Sequence, residues 1–278
     1  MAITTVDGIL NALGNNSSRI IIDKANLANQ VAGRYCSMWR ATGQPGQGAI
    51  PTTAIIPTSS TLGSMGFANQ TAPSTSYLGY GFIGCSNATA TIEIHDRLAS
   101  SGGLVLNVTT LQTTNLPINL GTLGLVSDRL GSADYGDVQW WLEVYSDGGA
   151  TASNATINVT YNDNTTGNLN VQAVGGTLRV GHMIGLDILR PAGAAGKNIK
   201  GINSIQLSAS TGTAGNFGFT ATRPRATMPT LVANKMEVFD WAQLGFSEIP
   251  NDACLFPMVL PTTTSSGTIR GGGKIAHG

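Results

Sequence analysis

Apolar and polar residues alternate along much of this chain with a period of two, the spacing that sends successive side chains to opposite faces of a strand. The clearest run sets Ala155, Ile157, Val159 and Tyr161 against Asn154, Thr156, Asn158 and Thr160. One face of such a strand is packed and the other wet. Ile92 and Ile94 alternate in the same way with Thr91 and Glu93, while Ile202, Ile205 and Leu207 sit among Asn203, Ser204 and Gln206. Runs rich in β-branched and aromatic residues, separated by Gly, Asn, Asp or Ser, predict strands near residues 34–40, 77–85, 90–97, 104–110, 138–146, 154–161, 168–174, 182–189, 201–209 and 215–222. The turn-forming stretch from Asn162 to Gly167 predicts a hairpin. Helical spacing is confined to the beginning of the chain. Thr5 is placed to cap a helix over Val6 to Leu13, with Gly14 as its stop, and Asp23 to Ala32 is a second candidate.

No strand–helix–strand rhythm appears, so the pattern predicts an all-β fold. The expected architecture is an antiparallel two-layer β-sandwich or jelly roll with a short N-terminal helical segment and an extended C-terminal arm. The expected divisions are an N-terminal arm over residues 1–33, a sandwich over 34–223 and an extended arm over 224–278. The sandwich includes a long Gly/Pro/Thr/Ser loop at 41–76, and a loop of that length is expected to be functional or to lie against a neighbouring subunit. In the arm, Pro224, Pro229, Pro250, Pro257 and Pro261 punctuate a stretch carrying Met236, Phe239, Trp241, Phe246 and Phe256. Proline interrupts ladders and large apolar side chains need burial, so the arm packs either on its own sandwich or on another subunit. A short helix is expected near Lys235 to Leu244. The five arm residues join Trp39, Trp140 and Trp141 as interface candidates. Because Trp140 and Trp141 are consecutive on a strand, one is expected in the core and the other exposed or at an interface.

Composition narrows the chemistry. Only 11% of the 278 residues are charged, the formal net charge is zero, and 32 Thr, 21 Ser, 21 Asn and 36 Gly dominate the rest. Neutral polar groups must therefore solvate the surface, and the electrostatic footprint of a nucleic-acid binder is missing. No run approaches the roughly 18 apolar residues of a membrane span, and the opening residues lack a basic, apolar leader, so synthesis in the cytosol is expected. Three cysteines, Cys36, Cys85 and Cys254, contain no CxxC pair and are expected to be buried free thiols.

Catalytic patterns are equally sparse. The only histidines are His95, His182 and His277. His95 lies beside Asp96 and Arg97 in a strand and is read as part of a polar cluster at the strand end. Gly79, Gly81 and Gly84 match G-x-G-x-x-G literally, but the following segment is strand-like and offers no helix N-terminus to a phosphate. Asp134, Asp137, Glu143 and Asp147 flank the Trp140-Trp141 strand, a superficial glycosidase or sugar-platform arrangement. Asp163 lies in an Asn-rich turn without the residue order of a calcium loop. No enzyme, cofactor or metal site is expected.

Several segments resemble a group of tailed-bacteriophage virion proteins over roughly residues 1–225. They are the opening MAITTVDGIL, the Ser37-Met38-Trp39-Arg40-Ala41 segment before the loop, the Asp96–Gly103 turn, and the run from Ser208 to Gly218. The resemblance implies a virion component made in the host cytoplasm and transfers no active-site residues. A major capsid protein of the usual tailed-phage type would show long helices and more charge, both of which this chain lacks. The expected role is a capsid cement or decoration protein whose partners are the major capsid protein and copies of itself, with no membrane or specific nucleic acid. A tail, fibre or baseplate component that binds host glycans is the alternative.

Overall fold

A computed structural model describes residues 3–176 and 178–278. Met1 and Ala2 of the opening segment and Thr177 lie outside the described residues. In chain order the elements are helix α1 (Val6–Asn15), strands β1 (Ser17–Lys24), β2 (Cys36–Ser37), β3 (Gly43–Gln44), β4 (Ser76–Cys85), β5 (Ala90–Ser100) and β6 (Ile118–Asn119), helix α2 (Ser127–Leu130), then β7 (Gln139–Ser146), β8 (Ala152–Tyr161), β9 (Thr166–Asn168), β10 (Gln172–Gly175), β11 (Met183–Gly185), β12 (Ile199–Leu207), β13 (Asn216–Thr230), β14 (Glu237–Asp240), β15 (Leu255–Leu260) and β16 (Ile269–His277). The fold is all-β and antiparallel with one short N-terminal helix, as the alternation predicts.

The chain forms two compact units, each assembled from separate stretches of sequence. Unit 1 takes Met1–Ala49, Pro57–Asp96 and Pro224–Gly278, and unit 2 takes Ile50–Ile56 and Arg97–Arg223. Each has its own core. In unit 1, Ile20 and Ile22 of β1, Leu78 and Ile83 of β4, and Ile269 and Ile275 of β16 share a buried cluster with Ile92 and Ile94 of β5 and Leu255 and Val259 of β15. In unit 2, Ala155, Ile157 and Val159 of β8 and Ile202 and Ile205 of β12 cluster with Trp140, Leu142 and Val144 of β7 and Phe217 and Phe219 of β13. Two apolar cores thus stand where a single sandwich core was expected. The irregular spacing of Ile202 and Ile205 also has a cause, because the β12–β8 ladder shifts register between Ile202 and Ser204.

Unit 1 contains the five-stranded sheet β14-β4-β16-β1-β3. β16 lies third in that order and pairs with β4 from Ile269↔Cys85 to His277↔Ser76, and with β1 from Ser17↔Ala276 to Lys24↔Ile269. Residues 224–278, expected as an arm, thus supply an interior strand of this sheet, its edge strand β14, and β15 beside β5. Pro257 fits because it falls at a position on β15 opposite Ile94, next to the short two-residue strand β2.

Other local expectations are corrected by the same ladders. The second helix at 23–32 does not form: Ile20, Ile22 and Lys24 face inward with period two, and β1 ends at Lys24. The helix near Lys235–Leu244 is replaced by β14 and a turn in which the Asp240 carboxylate accepts from the Ala242 and Gln243 amides. Of 34–40 only Cys36–Ser37 is strand, and 104–110 contributes a single bridge at Leu104. The hairpin across Asn162–Gly167 forms as β8 pairs with β9. Thr5 Oγ1 accepts from the Gly8 amide as expected, but α1 runs past Gly14 to Asn15.

The long loop folds back on its own chain. Trp39 is buried, its indole donates to the Ala49 carbonyl, and its ring lies so close to Gly48 and Gly63 that a Cβ on either would stand 2.0 and 2.8 Å from ring carbons. Only residues without side chains fit there.

Deleting residues 226–278 removes an interior strand and much of the unit 1 core. The truncated chain is expected to aggregate or to bind a hydrophobic dye strongly. A soluble product with native near-ultraviolet circular dichroism would contradict this account.

Candidate functional site

Building the sheet of unit 1 outward from its register exposes a row of apolar side chains on the face away from the core. Val238 of β14 pairs with Phe82 of β4, Phe82 with Gly272 of β16, and Gly272 with Ile21 of β1. These four positions form one line across the strands, on the opposite face from Ile20, Ile22, Ile83 and Phe239. Val238 is 57% exposed and Ile21 52%, and the Phe82 ring reaches over Gly272, where a Cβ would stand 3.3 Å from Cζ. On one side the next line reads Asp240, Tyr80, Lys274 and Arg19; on the other, Met236 lies over Gly84, followed by Arg270 and Asp23. Arg270 pairs with Asp23 at 3.4 Å, Lys235 with Glu237 at 3.3 Å, and the Lys274 ammonium donates to the Leu13 carbonyl of α1. α1 thereby banks one end of the face, with Leu13 above Gly79. The three glycines of the dinucleotide-like pattern are explained by this packing: Gly79 lies under Leu13, Gly81 beside Met228 and Gly84 under Met236.

The outer face of β8, β9 and β12 in unit 2 has the opposite character. Asn158 donates to Asn168, Asn203 donates to Asn158, and Thr160 donates to Asn203, at 2.8, 2.9 and 3.0 Å. Its amides and hydroxyls satisfy one another and water. An apolar partner gains nothing there.

Of the interface candidates read from sequence, Met236 alone is prominently exposed, at 46%. Phe239 packs against the unit 1 core, Phe246 stacks on Tyr77 with centroids 4.3 Å apart, and Trp241 meets Phe246 edge-on. Trp39 and Phe256 are buried against each other, with centroids 6.0 Å apart. Trp140 and Trp141 are both buried, the first donating to the Ile199 carbonyl and the second to the Thr222 hydroxyl. Neither presents a sugar platform. Ile21, Phe82 and Val238 escaped notice, although three consecutive isoleucines in a strand, Ile20 to Ile22, require the middle one to face away from its neighbours.

The groups considered for chemistry are engaged elsewhere. His95 Nε2 is 2.8 Å from Glu93, which also accepts from the Tyr35 hydroxyl at 2.8 Å. Burial alone would raise the Glu93 carboxyl, but the bonds from His95 and Tyr35 outweigh it and hold it below its ordinary value, while burial and Glu93 push Tyr35 up to about 12. Asp163 is drawn down to about 2 by the Lys197 ammonium and by Thr165, so a lysine stands where a cation would bind. Asp134 accepts from the Gly136 amide, Asp137 from the Ser132 amide, and Asp147 from the Val180 amide. His277 stands between the Ser18 and Ser76 hydroxyls, and burial lowers it. Among the described residues, no group of three or more His, Cys, Asp or Glu could hold a metal ion.

Several cations are buried, Arg97 and Lys24 among them. Arg97 Nη2 donates to Glu143 Oε2 at 2.6 Å and to the Tyr145 hydroxyl, and Thr220 donates to the same carboxylate oxygen, all without solvent exposure at Arg97 or Glu143. Removing one partner leaves the other charge buried. Glu143→Leu is expected to cost about 3–5 kcal/mol in chemical denaturation, and Arg97→Met combined with it to recover most of that loss. Lys24 is buried and donates to the Ala41, Pro45 and Gly46 carbonyls. Burial pushes its ammonium down to about 8. Above that pH the unfolded chain keeps a proton that the folded chain sheds, so this residue makes stability rise from about pH 8 to about pH 10.4. Denaturation across that window is expected to show the rise in the native protein and its absence in Lys24→Met; parallel curves would contradict it.

No protein-family model matches the chain, and no curated protein matches it. Among solved structures, the chain is aligned with a structure of infectious bursal disease virus Gt strain at 13% identity, over 94% of this chain and 82% of that one, with a TM-score of 0.15. It is also aligned with the crystal structure of the infectious bursal disease virus VP2 subviral particle at 9% identity, over 97% and 85%, with a TM-score of 0.16. Likeness at that level carries no argument about fold or activity.

Proposed function

We propose that this protein is a non-enzymatic structural component of a virus particle, a cement or decoration protein that binds the major capsid protein and copies of itself and stabilises the shell. The observation that carries the reading is the uncovered apolar row Ile21–Phe82–Val238 with charges of both signs at its rim. Such a surface loses water gainfully only against a complementary protein surface. The sequence resemblance to tailed-phage virion proteins supplies the particle, and the low charge of the chain suits close packing among many neighbours, because few ions must be desolvated. Repetition on a shell multiplies a modest contact through effective concentration. The protein would be made in the host cytoplasm and act in the virion. Its titratable clusters serve as ion pairs, turn caps and strand clasps, which leaves contact area as the working quantity.

Purified particles test this reading. The protein is expected in many copies on the shell, outnumbering tail components, and retained by heads that lack tails. Tail-less heads without it would overturn the cement role.

A further inference from the structure

The rim of the apolar row has an order that identifies what it fits. Along β1 the outward residues read Arg19, Ile21, Asp23: cation, apolar, anion. Along the opposite edge, β14 and the residue before it present Met236 over Gly84, then Val238 and Asp240, so the anion stands at the end of the sheet where β1 carries Arg19. We infer that this face binds a second copy of the chain across a two-fold axis that runs along the row, perpendicular to the strands. This deepens the structural reading above and rests on it.

Rotation about that axis leaves the row in place and exchanges its two flanks. Ile21, Phe82 and Val238 meet their own counterparts, and the apolar row is buried at the centre. Arg19 comes to Asp23 of the second copy and Asp23 to its Arg19; Asp240, on the edge strand, comes beside its Met236. An isologous contact must be self-complementary in this sense. A partner with one sign of charge would find like charges at half of these rim positions, and like charges across an interface are costly. The like-charged pair that the rotation brings together, Lys274 and Arg270, is already drawn aside: Lys274 donates to the Leu13 carbonyl and Arg270 to Asp23. α1 banks the face beyond Lys274 and Gly79, and the rotation carries it to the end of the second copy's sheet at which β1 stops at Lys24, β4 stops at Cys85 and β16 begins at Ile269.

Sedimentation of the full-length protein tests the inference through charge reversal at exposed positions. The native chain is expected to dimerise. Arg19→Asp alone places anions against anions and Asp23→Arg alone places cations against cations, and each is expected to weaken self-association by about tenfold or more. Mixing the two variants is expected to restore a dimer, since every facing pair on β1 is then opposite in sign. Unchanged circular dichroism of both variants confirms that the fold is intact. A monomeric native chain, variants that dimerise like it, or a mixture that stays monomeric would each overturn the two-fold contact. A chain that is monomeric in solution yet abundant on particles removes this dimer and leaves the virion role; a dimer with the expected charge behaviour that is missing from particles does the reverse.

Discussion

An interior strand must satisfy its backbone on both sides, and β16 does so over its whole length against β4 and β1. The rest of unit 1 follows from that ladder. It draws the two ends of the sequence into one sheet and brings Ile21, Gly272, Phe82 and Val238 into one line. The run Gly271-Gly272-Gly273 is what allows close approach: added Cβ atoms would stand 2.2, 2.6 and 2.3 Å from the Phe82, Ile20 and Tyr80 carbonyl oxygens. With no side chains of its own on that stretch, β16 lets its neighbours cover it. The Phe82 ring lies across the gap, and the outer face becomes shallow enough for another sheet to approach.

The two units share a construction rule and differ in what they show to solvent. Each buries one face of its strands in an apolar cluster. In unit 2 the outer face is an Asn/Thr network whose donors and acceptors are matched within the sheet. In unit 1 the outer face is apolar with a charged rim.

Buried charge sets limits on rearrangement. Asp96 and Arg97 are consecutive on β5 and therefore point to opposite faces; within unit 1 Asp96 pairs with Arg225 and accepts from the Cys254 amide, while within unit 2 Arg97 pairs with Glu143. A one-residue slip of β5 would invert both and strand four buried charges. Such pairs add little net stability over well-packed apolar residues, but they tie β5 to one register.

Local pattern was legible where the rule is local. Alternation in β8 placed Ala155, Ile157, Val159 and Tyr161 inward, the turn chemistry of Asn162 to Gly167 placed a hairpin, and Thr5 capped a helix, because each depends on a few adjacent residues. What failed were inferences about who covers whom. A stretch rich in proline and glycine, residues 224–278, looked like an arm because its partner strands lie as far away as residue 17, and no local pattern encodes a ladder across that separation. Trp39, Trp140, Trp141 and Phe256 looked like contact residues because they are large; whether a large side chain is buried depends on loops and strands that arrive from elsewhere, as Gly48 and Gly63 arrive over Trp39. The sequence by itself determined an antiparallel all-β chain with few charges and many hydroxyl and amide side chains. Only the tertiary structure decided that there are two cores, and that Ile21, Phe82 and Val238 stand together, since a row across strands is a property of register and register is set by pairing between distant segments.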